Sequence, residues 1–218
     1  MLRDRLMRLV QSPLLYDLLQ RFAGDREVQR RLDVHTTAPP GSWVVDIGGG
    51  TGPRRTPHGG SRYVCFDLDV QKLQRFRSKH PDGLAVAGDA VHCPLKTGGV
   101  DAVVCSKVTH HLNDDALHAV FEELGRLVKE GGTLILADAV RSDRWVARLL
   151  WRLDRGSHPR SADAIRRALP AVFVISRWDC FRTSVFHDFV LCVARRVPAV
   201  PSEGAAGDQP RRVFSRSA

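Results

Sequence analysis

The chain is poor in the features that would place it in a membrane, a disulfide scaffold or a metal centre. No apolar run approaches the roughly 20 residues a membrane helix needs. The opening M-L-R-D-R-L-M-R-L-V is charged throughout and lacks the apolar centre of a signal peptide, so the cytoplasm is the expected location. Cysteines at 65, 93, 105, 180 and 192 form no C-x-x-C and follow no regular spacing. That gives little support to a disulfide framework, and no metal is expected. Cys65, Cys105 and Cys192 fall in apolar, strand-like runs, where cysteine acts as a small buried hydrophobe. Lysine is scarce: only Lys72, Lys79, Lys96, Lys107 and Lys129 stand among 33 basic residues. The net charge of +9 is therefore arginine charge, scattered along helices and the C-terminal segment. Aromatics, at 7%, do not interleave with it as base stacking would require, so a nucleic-acid partner gains little support.

What is present divides into three parts. Residues 1–40 read as a helical cap. Leu6, Leu9 and Val10 recur at helical spacing, as do Leu14, Leu15, Leu18, Leu19 and Phe22, and residues 25–36 read as a further helix. A-P-P-G-S ends this region. Residues 41–196 then alternate short apolar runs with helical stretches. The runs W-V-V-D-I (43–47), Y-V-C-F-D (63–67), L-A-V-A-G-D (84–89), V-D-A-V-V-C (100–105) and T-L-I-L-A-D (133–138) read as strands. Helices are expected at 70–80, 113–129, 142–153 and 161–169, and a hairpin of strands over 171–178 and 185–194, joined by D-C-F-R-T-S. Near-continuous apolar runs suit strands covered on both faces, and strand–helix alternation means a parallel α/β sheet. Residues 197–218, rich in Pro, Gly and Ala, are expected to be a disordered tail.

In open α/β sheets ligands bind beyond the carboxyl ends of the strands, where Asp46, Asp67, Asp89 and Asp138 all fall. A glycine-rich loop, G-G-G-T-G, follows the first strand. No lysine follows Gly52, so it is no phosphate-cradling G-x-x-x-x-G-K-[ST] loop. Pro53 and Arg55 stand where a dinucleotide G-x-G-x-x-G loop needs its last glycine. The remaining pattern, D-x-G-x-G-x-G, is fitted by Asp46, Gly48, Gly50 and Gly52. It resembles the first motif of class I S-adenosylmethionine-dependent methyltransferases. V-D-A-V-V-C-S-K-V-T-H-H-L (100–112) and L-G-R-L-V-K-E-G-G-T-L-I-L-A-D (124–138) are similar to the fourth and fifth strands and their flanks in small-molecule members.

The resemblance implies a Rossmann-like, doubly wound seven-stranded sheet in order 3-2-1-4-5-7-6, with strand seven antiparallel. It implies S-adenosylmethionine as cofactor and methyl transfer to a small molecule at oxygen, nitrogen or carbon. A cyclase or another transfer from the same cofactor, and a basic nucleic-acid binder with a vestigial site, are the alternatives. On this reading the glycines let backbone approach the methionine and ribose. Asp46 serves the α-amino group, Asp67 the ribose hydroxyls, and Leu68 lies against the adenine. Asp89, beside Ala90, accepts from the adenine amino group, and Ser106 completes the cofactor set. Candidate catalytic groups are His110 and His111, suited to taking a proton, and Asp138. Tyr16, His158 and Arg160 are further candidates for the acceptor pocket. Between Gly52 and Val64, Pro57 and Gly59-Gly60 oppose a full crossover helix, so a single turn and an extended return are expected.

Overall fold

The computed structural model describes residues 25–36, 38–52, 60–142, 158–183 and 188–198. The first helices, the crossover at 53–59, most of the helix expected over 142–153, and the tail from 199 lie outside the described residues, as does Tyr16. Helix α1 (Asp25–His35) precedes strand β1 (Trp43–Ile47). Then come β2 (Arg62–Asp67), α2 (Val70–Lys79), β3 (Leu84–Ala87) and β4 (Val100–Ser106). A single 3-10 turn (Thr109–His111) leads to α3 (Asp114–Leu127) and β5 (Val128–Val140), followed by α4 (Ala162–Ala168), β6 (Phe173–Arg182) and β7 (Asp188–Arg196). The sheet has seven strands in order β3-β2-β1-β4-β5-β7-β6, as expected. All pairs from β3 to β5 are parallel, and β7 runs antiparallel between β5 and β6.

Alternation along each strand sorts the apolar side chains onto two faces. Val44, Tyr63, Cys65, Val104, Ile135 and Ala137 pack with Val28 and Leu32 of α1 and Leu73 and Phe76 of α2. Val45, Ile47, Phe66, Cys105 and Leu136 pack on the opposite face against Leu117, Phe121 and Leu124 of α3 and Ile165 of α4. Burial on both sides is why these strands read as unbroken apolar runs. Helix starts follow side-chain capping chemistry. Asp69 accepts from Gln71 and Lys72 N–H, Asn113 from Ala116 N–H, and Ser161 from Ala164 N–H.

Several element boundaries differ from the sequence reading, β5 running Val128–Val140 and β7 Asp188–Arg196, and three further shifts have a plain cause. Strand β3 ends at Ala87, so Gly88 and Asp89 belong to the following loop. Helix α3 stops at Leu127, because Val128 already pairs with Val100; the ladder then skips and resumes at Thr133 beside Ala102. Strand β6 continues to Arg182, so Asp179, Cys180 and Phe181 pair with Leu191, Val190 and Phe189 instead of forming the connection. Phe181 is held there by Phe189, with ring centroids 6.0 Å apart, and by the Arg31 guanidinium 4.1 Å above its ring. No described helix is long and apolar enough to cross a membrane.

Candidate active site

The carboxyl edge of the sheet divides into two neighbourhoods. The first lies at the ends of β1, β2 and β3. After Ile47 the chain folds over the end of β2, with Gly48 and Gly49 N–H both donating to Phe66 O at 2.8 and 3.1 Å. Gly48 has φ +70°, and a Cβ on it would collide with Val108 Cγ2. Gly50 has φ +58°, and its N–H donates to Asp67 Oδ2 at 2.8 Å. Side chains are disfavoured at both positions, by backbone angle at each and by contact at the first. Gly52 closes the loop with its N–H on Gly49 O at 2.9 Å and sits against the Phe76 ring of α2.

Asp67 is buried at 7% exposure, and its second oxygen accepts from Asp69 N–H at 2.8 Å. A carboxylate has about four acceptor positions, so both oxygens retain capacity for a ligand hydroxyl. Asp46 is half-buried and accepts from Tyr63 OH at 2.6 Å. Burial pushes its carboxyl up to about 6, against the Tyr63 bond, and the Asp67 charge adds to the rise. Leu68, 74% exposed, lies at the rim. Asp89 is exposed and turns the loop by accepting from Val91 N–H at 3.0 Å, while Ala90 packs toward the α3 core. That loop is pinned from α3. Glu123 accepts from Cys93 N–H at 2.7 Å, and Arg126 donates to Cys93 O and Leu95 O, each at 3.0 Å. Carboxylates and open backbone suit hydroxyls and a cationic amine and oppose phosphate, so this edge fits the adenosyl amino acid implied by the sequence.

The second neighbourhood lies at the ends of β4 and β5. Ser106 ends β4, half-buried beside Ala137. Lys107 then adopts φ +58°, with its N–H on Ala137 O at 2.9 Å. A non-glycine residue there costs about 1–2 kcal/mol, and the kink brings the next turn back over Asp138. Asp138 has no exposed surface. Thr109 N–H and Oγ1 both donate to its Oδ2 at 2.6 Å, Ala139 N–H donates to Oδ1 at 2.7 Å, and His110 Nδ1 bonds Oδ1. Burial alone would raise the Asp138 carboxyl; the His110 and Thr109 bonds outweigh it and hold the group below its ordinary value. Facing an ionised carboxylate, Nδ1 is the donor, so in the neutral ring the lone pair lies on Nε2. His111 is exposed and its ring packs against His110 at a 47° tilt, with centroids 4.0 Å apart.

Two expectations change here. Asp138 faces the edge only through His110, because its own oxygens are enclosed. Arg160 does not reach outward: it grips the turn, donating to Thr109 O at 2.9 Å, Leu112 O at 2.7 Å and Asp114 Oδ1 at 2.6 Å. His158 N–H donates to His110 O at 2.5 Å, so residues 158–160 strap the turn that carries His110. Sequence reading missed Tyr63, Thr109 and this strap. Tyr63 had a signal, since a tyrosine in a buried strand needs an acceptor for its hydroxyl. Thr109 had none. Among the described residues, no group of three His, Cys, Asp or Glu is arranged to hold a metal ion.

Residues 45–136 match a family model described as a methyltransferase domain. An uncharacterised methyltransferase of Synechocystis sp. is 29% identical over 143 residues, covering 62% of this chain and 68% of that protein. The demethylmenaquinone methyltransferase of Renibacterium salmoninarum is 32% identical over 112 residues, or 50% of this chain; the chain spans less than half of it, 46%. Among solved structures, the geranyl diphosphate C-methyltransferase of Streptomyces coelicolor superposes with a TM-score of 0.66 at 17% identity, over 79% of this chain and 81% of that one.

Proposed function

We propose that this chain, a class I S-adenosylmethionine-dependent methyltransferase, transfers methyl groups to a small-molecule acceptor that must lose a proton as it is methylated. The observation that carries the proposal is the glycine loop laid across the end of β2 with Gly50 N–H on Asp67 Oδ2. When bound, S-adenosylmethionine supplies an electrophilic methyl on a sulfonium. The chain's own part is to hold and orient. Gly48, Gly50 and Gly52 admit the methionine and ribose portions, and Asp46 takes the cationic amine. Asp67 accepts from the ribose hydroxyls, while Leu68, Asp89 and Ala90 frame the adenine. Ser106 borders the same site at the end of β4.

On the acceptor side His110 is the proton acceptor, through Nε2. Asp138 is its positioning residue, fixing the tautomer and stabilising the imidazolium once formed. His111 supports the ring by packing against it at a tilt. The similar proteins named for demethylmenaquinone and geranyl diphosphate make those two compounds the first acceptors to try.

The test is titration calorimetry with S-adenosylhomocysteine, followed by transfer of labelled methyl to that acceptor panel. Binding that is lost in Asp67→Ala, with labelled product, supports the reading. Absence of any heat from S-adenosylhomocysteine overturns it, and turnover without labelled product points to a cyclisation or another use of the cofactor.

A further inference from the structure

The hydroxyl of Tyr63 is out of place in its strand. Strand β2 is buried from Tyr63 to Asp67, and Tyr63 itself is 8% exposed between the sheet and the Phe76 ring, 5.9 Å away. A phenylalanine would fill that space; the oxygen is spent on Asp46, at 2.6 Å. Asp46 in turn stands where burial disfavours its charge. Around it are the Tyr63 hydroxyl, the Cys65 thiol and the Asp67 carboxylate from β2, and the Cys105 thiol from β4. The Gly49 backbone crosses directly above its carboxyl, and the stem of Lys72 from α2 approaches Gly50. The hydrogen bond from Tyr63 opposes the rise in the Asp46 carboxyl. One phenolic proton therefore works against desolvation and a neighbouring negative charge.

We infer that Tyr63 is a positioning residue of the cofactor site, holding Asp46 ionised and aimed so that the site selects ligands carrying the amino-acid portion of S-adenosylmethionine. The inference rests on the cofactor reading above and adds a specificity determinant on a strand otherwise represented in the site by its terminal acid. Two consequences follow. Removing the hydroxyl should weaken recognition of the ammonium and leave recognition of the adenosine untouched, because Asp67, Leu68 and Asp89 serve the latter. It should also make Asp46 easier to protonate, since a hydrogen bond to the charged form is lost.

The experiment compares two ligands by calorimetry from pH 5 to 8. S-adenosylhomocysteine carries the amino acid; 5′-methylthioadenosine carries the same nucleoside without it. In wild type the first should lose affinity as pH falls through about 6, the value at which burial places the Asp46 carboxyl, and the second should not. Tyr63→Phe should weaken S-adenosylhomocysteine about tenfold at pH 7 and shift its acid limb upward, with 5′-methylthioadenosine unchanged. Asp46→Asn, which keeps shape and a partner for Tyr63, should show the same selective loss with no acid limb. Equal weakening of both ligands in Tyr63→Phe means a packing role and overturns the inference, as does no change in either. Binding of neither ligand by wild type overturns the cofactor reading and this inference with it. A folded wild type that binds both, beside a Tyr63→Phe that binds both equally well, sinks the inference alone.

Discussion

The two halves of the sheet edge solve one problem by different means. At β1–β3 the site is built from backbone: glycines 48, 50 and 52 shape a loop, and a single buried side chain, Asp67, braces it. At β4–β5 it is built from side chains: Asp138 gathers Thr109 and His110, and Arg160 ties their turn down from outside. The first arrangement leaves the backbone open to a ligand. The second encloses its carboxylate and presents it to the edge through the His110 imidazole. The contrast extends to charge. Asp46 is a carboxylate made uncomfortable by burial, and Asp138 is one made comfortable by its bonds in spite of burial.

Breaking the β4–β5 half should have the largest effect. Asp138→Ala leaves the buried Thr109 and the part-buried His110 without their acceptor. The expected cost is about 3–5 kcal/mol in chemical denaturation and at least about a hundredfold in transfer rate. His110→Ala should keep the fold and lower the rate about 10²–10⁴-fold, with S-adenosylhomocysteine affinity unchanged in calorimetry. On the other half, Asp67→Ala should raise the dissociation constant for S-adenosylhomocysteine about 10–100-fold, since it removes both a ligand acceptor and the brace of Gly50.

Protonation separates the halves by sign. Asp46 has its folded value raised, so its contribution to stability is present at acid pH and lost as pH rises through about 6. Asp138 has its folded value lowered, so its contribution is present at neutral pH and lost as pH falls below the ordinary carboxylate range. Without cofactor, Asp46→Asn should therefore melt higher than wild type at pH 8, by an amount on the order of 1–2 kcal/mol, and lose that advantage as pH falls through about 6 toward the ordinary carboxylate range. Asp138→Asn should melt lower at pH 8. The smallest effect expected is that of Arg160→Lys, which keeps the charge and loses the fork on two carbonyls; a severalfold drop in turnover with unchanged cofactor affinity would mark it as a clamp on the turn.

The same contrast decides how much of the molecule is legible in its sequence. The β1–β3 half is legible because its chemistry is local: a motif of glycines after one strand, and acids at the ends of the next two. The sheet order comes with the resemblance those residues carry. The β4–β5 half is legible only in part. His110, His111 and Asp138 can be named, but the 28-residue separation between His110 and Asp138 hides their bond. Arg160 lies 51 residues from the carbonyl of Thr109 that it caps. Residue type alone makes it a substrate clamp; its real partners are the Asp114 carboxylate and backbone oxygens of the turn, which a sequence does not single out. The strand ends move for similar reasons, as Phe181 is drawn into β6 by Arg31 and Phe189 from distant elements.

The division of labour is tested most directly by measuring S-adenosylhomocysteine affinity and single-turnover methyl transfer in Asp67→Ala and His110→Ala side by side. The account requires a crossed result: affinity lost in Asp67→Ala, and rate lost in His110→Ala with affinity intact. Equal binding by Asp67→Ala and wild type, or full transfer by His110→Ala, contradicts it.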